Sequence, residues 1–309
     1  MKSIEYVLLN SSGDTEMEIT HGSQLQFEAS GLTHRNAGKG IEFKYLSLGE
    51  EGTPENYLLT LTRQTDFYSP VHHHNFDQFR YAMKGDVSLG RNGVLKEGQI
   101  SYHPEGAYYG PQQDDPDHER IVLVLQCGGA SGQGYMSFAQ LRQANKQLSM
   151  MGKFEGGKFY GENGSIKDGY QALWEHVSGR KLEYPRARYT GPVIIDPASF
   201  TWRPVNQQVN STPSQTNGHS GQSMWRKPLG TFSERELRVE QLLVQPGSTL
   251  QIGSPEAFHL LVALEGTGRV GSDELVKEST IRLNPGATAE VSSSTEDLLL
   301  IHFVMPQLV

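Results

Sequence analysis

The chain has 309 residues, 36% hydrophobic and 20% charged, which suits folded domains rather than a disordered polymer. A net charge of −8 gives no basic footprint for nucleic acid, and no apolar run approaches the roughly 20 residues that span a bilayer. The single cysteine, Cys127 in the run IVLVLQC, excludes an intrachain disulfide. It points to a reducing, cytoplasmic setting and reads as a buried filler rather than a nucleophile.

The 34 glycines and 15 prolines favour many short strands joined by turns. The opening MKSIEYVLLNSSGD holds too few apolar residues in a row for a secretory signal. The first strong pattern is SPVHHHNFDQFRYAMKG, Ser69 to Gly85. On a strand, alternate side chains share a face, so His72 and His74 point one way and His73 the other. Gln78 and Arg80 continue the parity of His74, while Asp77 falls on the opposite face. An inward Arg80 could hold a substrate carboxylate through two N–H groups, or serve as partner to a core acid. RNG at 91–93 is tight-turn chemistry, and VLKEGQISYHP leads past His103, a candidate neighbour of the site, to Tyr109. DDPDHER reads as a solvated loop before the strand 120–126.

Beyond residue 130 the chain changes character. SFAQLRQANKQLSMMG spaces Phe138, Leu141, Ala144 and Leu148 as a helix, with Ser137 as N-cap. DGYQALWEHVSGR predicts a second helix closing near Gly179. YPRARYTGP and the polar stretch 206–223 follow as an extended connector, with 206–223 a linker or a lid.

An internal repeat then appears. QFRYAMKG (78–85) lies over HLLVALEG (259–266), and each final glycine is followed by a proline 19 positions on, Pro104 and Pro285. VLKEGQISYHP (94–104) aligns without a gap on LVKESTIRLNP (275–285), an offset of 181. That offset sets His259 against Gln78 and Glu290 against Tyr109, the two expected as a buried ion pair or a weak site. It leaves QIGSP (251–255) without a histidine where the first copy has His72 and His74. Short strands repeated twice predict two β-barrels or sandwiches.

The spacing His72-x-His74, three residues, Gln78, six residues, Gly85 resembles the first motif of the cupin superfamily. Gly98, five residues, Pro104-x-Gly106, two residues, Tyr109 resembles the second. The resemblance covers roughly 60–130 and 230–309. It implies an all-β-dominated chain of two cupin barrels (double-stranded β-helix, jelly-roll-like) with a partly helical segment between them. The implied boundaries are 1–130, 131–228 and 229–309. It also implies a divalent metal on His72, His74, Gln78 and Tyr109, iron foremost, with manganese, nickel or zinc as alternatives. Gln78 stands where the family has glutamate, and Tyr109 where it has a further histidine. A tyrosine ligates well only as phenolate, and its reference pKa is about 10.

The resulting expectation is a metal-dependent enzyme of oxygenase type, with Tyr109 and Arg80 as catalytic residues and a small organic substrate. Lyase or isomerase chemistry with Tyr109 moving a proton, and a non-catalytic small-molecule binder, are the alternatives. The second copy is expected to serve packing, dimerisation or the shape of the first pocket. A homodimer, with no nucleic-acid and no membrane partner, completes the expectation.

Overall fold

In this computed structural model residues 16–29, 40–205 and 224–306 are described; the connector expected at 206–223 lies outside them. Strands dominate and two helices interrupt them. The chain divides into two compact units: 22–201 with 227–236, and the remainder through 307.

In the first unit six strands form one antiparallel sheet. Their order is Val193–Ile195, Ile100–His103, Asp77–Lys84, Arg120–Cys127, Tyr57–Gln64, Ile41–Leu48. Arg120–Cys127 lies between Asp77–Lys84 and Tyr57–Gln64. Its run IVLVLQC is apolar on both parities because both faces of a central strand are covered. Val122 and Val124 close one side of the barrel with Ala82, Val87, Leu89 and Leu95. Cys127 is buried, and desolvation pushes its thiol up to about 12, so it stays an inert thiol.

The two predicted helices form as their caps dictate. Phe138–Leu148 starts at a capping box in which Ser137 accepts from the Gln140 backbone and the Gln140 side chain accepts from Ser137 N. Gly169–Ser178 starts at Asp168 and stops at Gly179, whose φ of 65° is cheap for glycine. Leu141, Ala144, Leu148, Leu173 and Trp174 pack as one apolar cluster. This helical segment, read from sequence as a separate insert from 131, clusters with the first barrel. The segment 227–236 joins the same unit: buried Arg235 donates to Gly128 O at 2.6 Å and pairs with Glu55 at 3.3 Å.

The second unit carries the sheet order Met17–His21, Ser279–Leu283, Ala257–Glu265, Leu298–Pro306, Leu237–Val244. Thus Met17–His21, early in the chain, pairs with Ser279–Leu283 rather than with the first barrel. A second sheet runs Thr249–Gly253, Thr288–Ser292, Gly268–Val270, Asp273–Leu275. Leu242, Leu261, Ile281, Val291 and Leu300 lie in the core between them.

The repeat is real in the backbone, but a constant offset of 181 is not. Gly85 and Gly266 both have left-handed φ, 72° and 79°. Gly98 N donates to Ala82 O at 2.8 Å and Glu278 N donates to Ala263 O at 2.9 Å, so left-handed Gly98 (83°) corresponds to left-handed Glu278 (71°), one position earlier than the sequence match implies. The second copy is one residue shorter across this turn, and Glu278 bears a conformation that favours glycine. Gly106 and Gly286 then correspond: Gly106 N donates to His74 O at 2.7 Å, and Gly286 N donates to Ser254 O at 2.9 Å. His72 pairs with Tyr109, and Ile252 pairs with Ala289. Ala289, not Glu290, therefore stands in the place of Tyr109, and Glu290 is exposed. Among the described residues no helix is long and apolar enough to cross a membrane.

Candidate functional site

Backbone pairing brings the two motifs together. His72 N donates to Tyr109 O at 3.1 Å and Tyr109 N donates to His72 O at 3.0 Å. Both histidines expected to share a face do so at one atom. His72 Nε2 lies 2.9 Å and His74 Nε2 2.7 Å from Tyr109 Oη. Gln78 Oε1 is 3.3 Å from the same oxygen, and Arg80 Nη2 donates to it at 3.2 Å. Three of the predicted side chains, with Arg80, therefore surround the phenol oxygen of the fourth, Tyr109.

The proton count around that oxygen is informative. His72 Nδ1 lies 2.7 Å from Pro70 O, and a carbonyl only accepts, so in the neutral ring Nε2 is a bare acceptor. Gln78 Oε1 also accepts, and already receives Arg80 Nε at 2.7 Å. One phenolic proton cannot serve His72, His74 and Gln78 together. The neutral solution is Tyr109 donating to His72 while His74 donates from Nε2 to Tyr109. The alternative is a phenolate with both Nε2 atoms bare, which is a ligand set.

Arg80 is anchored by neutral groups. Its Nη1 donates to Gln112 Oε1 at 3.1 Å, and Gln112 Nε2 donates to Gln64 Oε1 and to Asp114 Oδ2, each at 2.9 Å. This amide chain was not singled out in the sequence. Its only signal was the parity of Gln64 with Thr60 and Thr62 on Tyr57–Gln64.

A cavity of about 1080 Å³ opens in front of this group. His72, His74, Gln78 and Arg80 line it, together with Thr60, Thr62, Gln64 and Gln126. His73 is not a bystander: it is stacked between Tyr108 at 4.1 Å and Tyr184 at 3.8 Å, all three lining the cavity. Tyr184 comes from YPRARY, read from sequence as a connector packed by its tyrosines, or as a contact for an anionic ligand.

The neighbours behave as parity requires. Asp77 is buried on the other face, accepting from Tyr102 Oη at 3.1 Å and Glu105 N at 3.0 Å. Desolvation raises its pKa to about 6. His103 packs its ring on Tyr109 at 4.5 Å, bonds Ser101 Oγ at 2.9 Å, and leaves buried Nδ1 without a partner. Burial, reinforced by Arg80, holds its pKa well below the ordinary histidine range, so it is a neutral prop behind the phenol.

In the second unit His259 is bonded to Ser254 Oγ at 2.8 Å and to His302 Nε2 at 2.9 Å, not to Glu290. His302 Nδ1 donates to Glu240 Oε1 at 3.0 Å, and Glu240 Oε2 pairs with Arg226 at 3.1 Å. The sequence reading missed this row because His302 and Glu240 sit on strands distant in the chain.

No family model and no curated protein matches the sequence. Solved structures do. A candidate dioxygenase from Nostoc punctiforme matches with a TM-score of 0.60 at 13% identity, over 95% of this chain and 84% of its own. A candidate glyoxylate-induced protein from Pseudomonas aeruginosa matches at 0.58 and 10% identity, over 95% and 90%. HEPD from Streptomyces albus, solved with 2-hydroxyethylphosphonate and Fe(II), matches at 0.55 and 10% identity, over 96% and 77%. These likenesses establish the fold: an all-β, cupin-type chain of two barrels.

Proposed function

We propose that the first barrel is the working site of a metal-dependent enzyme acting on a small organic substrate, with oxygenase-type chemistry. The observation that carries this is the convergence of His72 Nε2 and His74 Nε2 on Tyr109 Oη beside a cavity of about 1080 Å³. Among the described residues no three His, Cys, Asp or Glu side chains form a metal-binding group. A metal would therefore depend on Tyr109 as phenolate, and the set fits on those terms. His72 Nε2 is already bare in the neutral ring, and Arg80 Nη2 donates to the phenol oxygen at 3.2 Å. Gln78 fits less well than expected, since Arg80 occupies its carbonyl.

A metal held by His72, His74 and Tyr109 would supply a Lewis acid and, as iron, redox chemistry. The fold neighbours described as a candidate dioxygenase and as an Fe(II) protein support this reading. The chain's own groups do the rest. Tyr109, ionised, would hold the metal together with His72 and His74, Arg80 orients the substrate, and the apolar cavity walls exclude water.

Metal analysis of protein supplied with iron, manganese, nickel or zinc tests the proposal. Stoichiometric metal is expected in wild type and lost in His72→Ala and His74→Ala. Ferric protein should show a visible charge-transfer band that Tyr109→Phe abolishes. Absence of stoichiometric metal from wild type sinks the metalloenzyme reading. Oxygen consumption with turnover separates oxygenase from lyase or isomerase chemistry. A second reading, a binding protein without metal, is favoured by one observation: the phenol and the two imidazoles can satisfy one another by hydrogen bonds alone.

A further inference from the structure

Arg80 is 9% exposed, lies over the Tyr109 ring at 5.1 Å, and carries a charge that no hydrogen-bond partner matches. Its hydrogen-bond partners are Gln78, Gln112 and Tyr109, all formally neutral. Among the described residues it forms no ion pair; its link to an acid, Asp114, runs through the Gln112 amide. A guanidinium has five N–H donors. Three are used by these bonds, leaving one on each terminal nitrogen. A buried, uncompensated charge is costly, and such charges are normally paired.

The cavity it lines is of mixed character. Polar side chains of His72, His74, Gln78, Thr60, Thr62 and Gln64 share its wall with Ile41, Phe43, Leu58, Phe67, Val124 and Phe138. Val124 is the cross-strand partner of Arg80, so apolar surface begins directly beside the guanidinium's strand. The acids lining it, Glu155 and Asp168, are exposed. The volume is at the upper end for small-molecule sites, ample for a ligand larger than a two- or three-carbon acid.

We propose that Arg80 recognises an anionic group, and that the cavity takes a carboxylic acid with a bulky apolar body of aromatic size. The carboxylate accepts from the two remaining terminal N–H groups, and the apolar wall receives the body. This deepens the reading of the first barrel as the ligand site but does not need a metal there.

The test is calorimetric titration of the full chain with 2-naphthoate and with 2-naphthamide, its neutral isostere, after chelator treatment and again after iron loading under argon. Naphthoate is expected to bind at least about tenfold more tightly than the amide. Arg80→Gln should erase that preference by weakening naphthoate alone, and Arg80→Lys should keep part of it. Circular dichroism checks that both variants fold; if Arg80→Gln does not, the acid-to-amide ratio of wild type and Arg80→Lys decides. Equal binding of acid and amide, an Arg80→Gln protein that still prefers the acid, or no binding of either probe overturns the proposal. Metal bound at His72 and His74 with no acid preference leaves the enzyme reading standing and removes this one. An Arg80-dependent acid preference in a protein that takes up no metal does the reverse.

Discussion

Asp77→Asn gives the sharpest reading of how the first barrel is built. Asp77 is 1% exposed and accepts two hydrogen bonds, from Tyr102 Oη and Glu105 N. Burial outweighs those bonds and raises its pKa from 3.8 to about 6. Because the folded value lies above the unfolded one, the native state holds the extra proton between these limits. Stability is therefore greatest below the unfolded pKa and falls as pH rises through 6. A shift of roughly two units, each worth about 1.4 kcal/mol, costs about 3 kcal/mol at pH 8 and under about 1 kcal/mol at pH 4. Asparagine has no such titration. Urea unfolding of wild type and variant at both pH values gives two differences, and subtracting them cancels any fixed cost of burying the new amide. The variant should gain about 2.5 kcal/mol relative to wild type on going from pH 4 to pH 8. An equal difference at the two pH values would refute the claim that burial governs this carboxyl.

His259 should show the opposite slope. Desolvation, aided by His302, lowers its pKa from 6.5 to about 4, so the unfolded state binds the extra proton between these limits. Stability should fall by up to about 3 kcal/mol as pH drops from 6.5 to 4 and then level off. His259→Gln should flatten that fall in urea titrations; an unchanged slope would assign it elsewhere. Gly106→Ala places a Cβ 2.1 Å from Pro185 O at a φ of +78°. It should destabilise by about 1–3 kcal/mol, read as a lower melting temperature, with an unchanged melting temperature counting against this packing.

The fold and the convergence of the four predicted donors were legible because they rest on local rules. Strand parity joins His74, Gln78 and Arg80, and motif spacing places Tyr109. The caps at Ser137, Asp168 and Gly179 fix both helices within a residue or two of their predicted ends. What failed was non-local. Sequence similarity aligned Ser279 with Gly98, but the backbone puts left-handed Glu278 there, and φ and the hydrogen-bond register reveal it. Parity turned His73 away from the site, yet Tyr184, 111 positions on, supplies the ring that holds it at the cavity. The Gln112 chain and the His259–His302–Glu240 row join strands whose register no local pattern encodes.

The register also explains why one barrel offers a ligand site and the other does not. In the first, Val124 pairs with Arg80 on one side and Thr60 on the other. At the corresponding place in the second, His302 pairs with Leu261 and Glu240. Arg80 thus corresponds to Leu261 and Thr60 to Glu240. The second barrel placed an acid where the first has a hydroxyl, and its polar row ends internally. Ser254 donates to His259, His259 to His302, and His302 to Glu240, whose charge Arg226 matches. Every hydrogen has an acceptor, so nothing in that row calls for a ligand. The first barrel has no acid at the equivalent position, and a cavity stands where the row would close. Its cation is buried and hydrogen-bonded only to neutral groups. A charge left in that condition is stabilised most by an anion that arrives through the cavity.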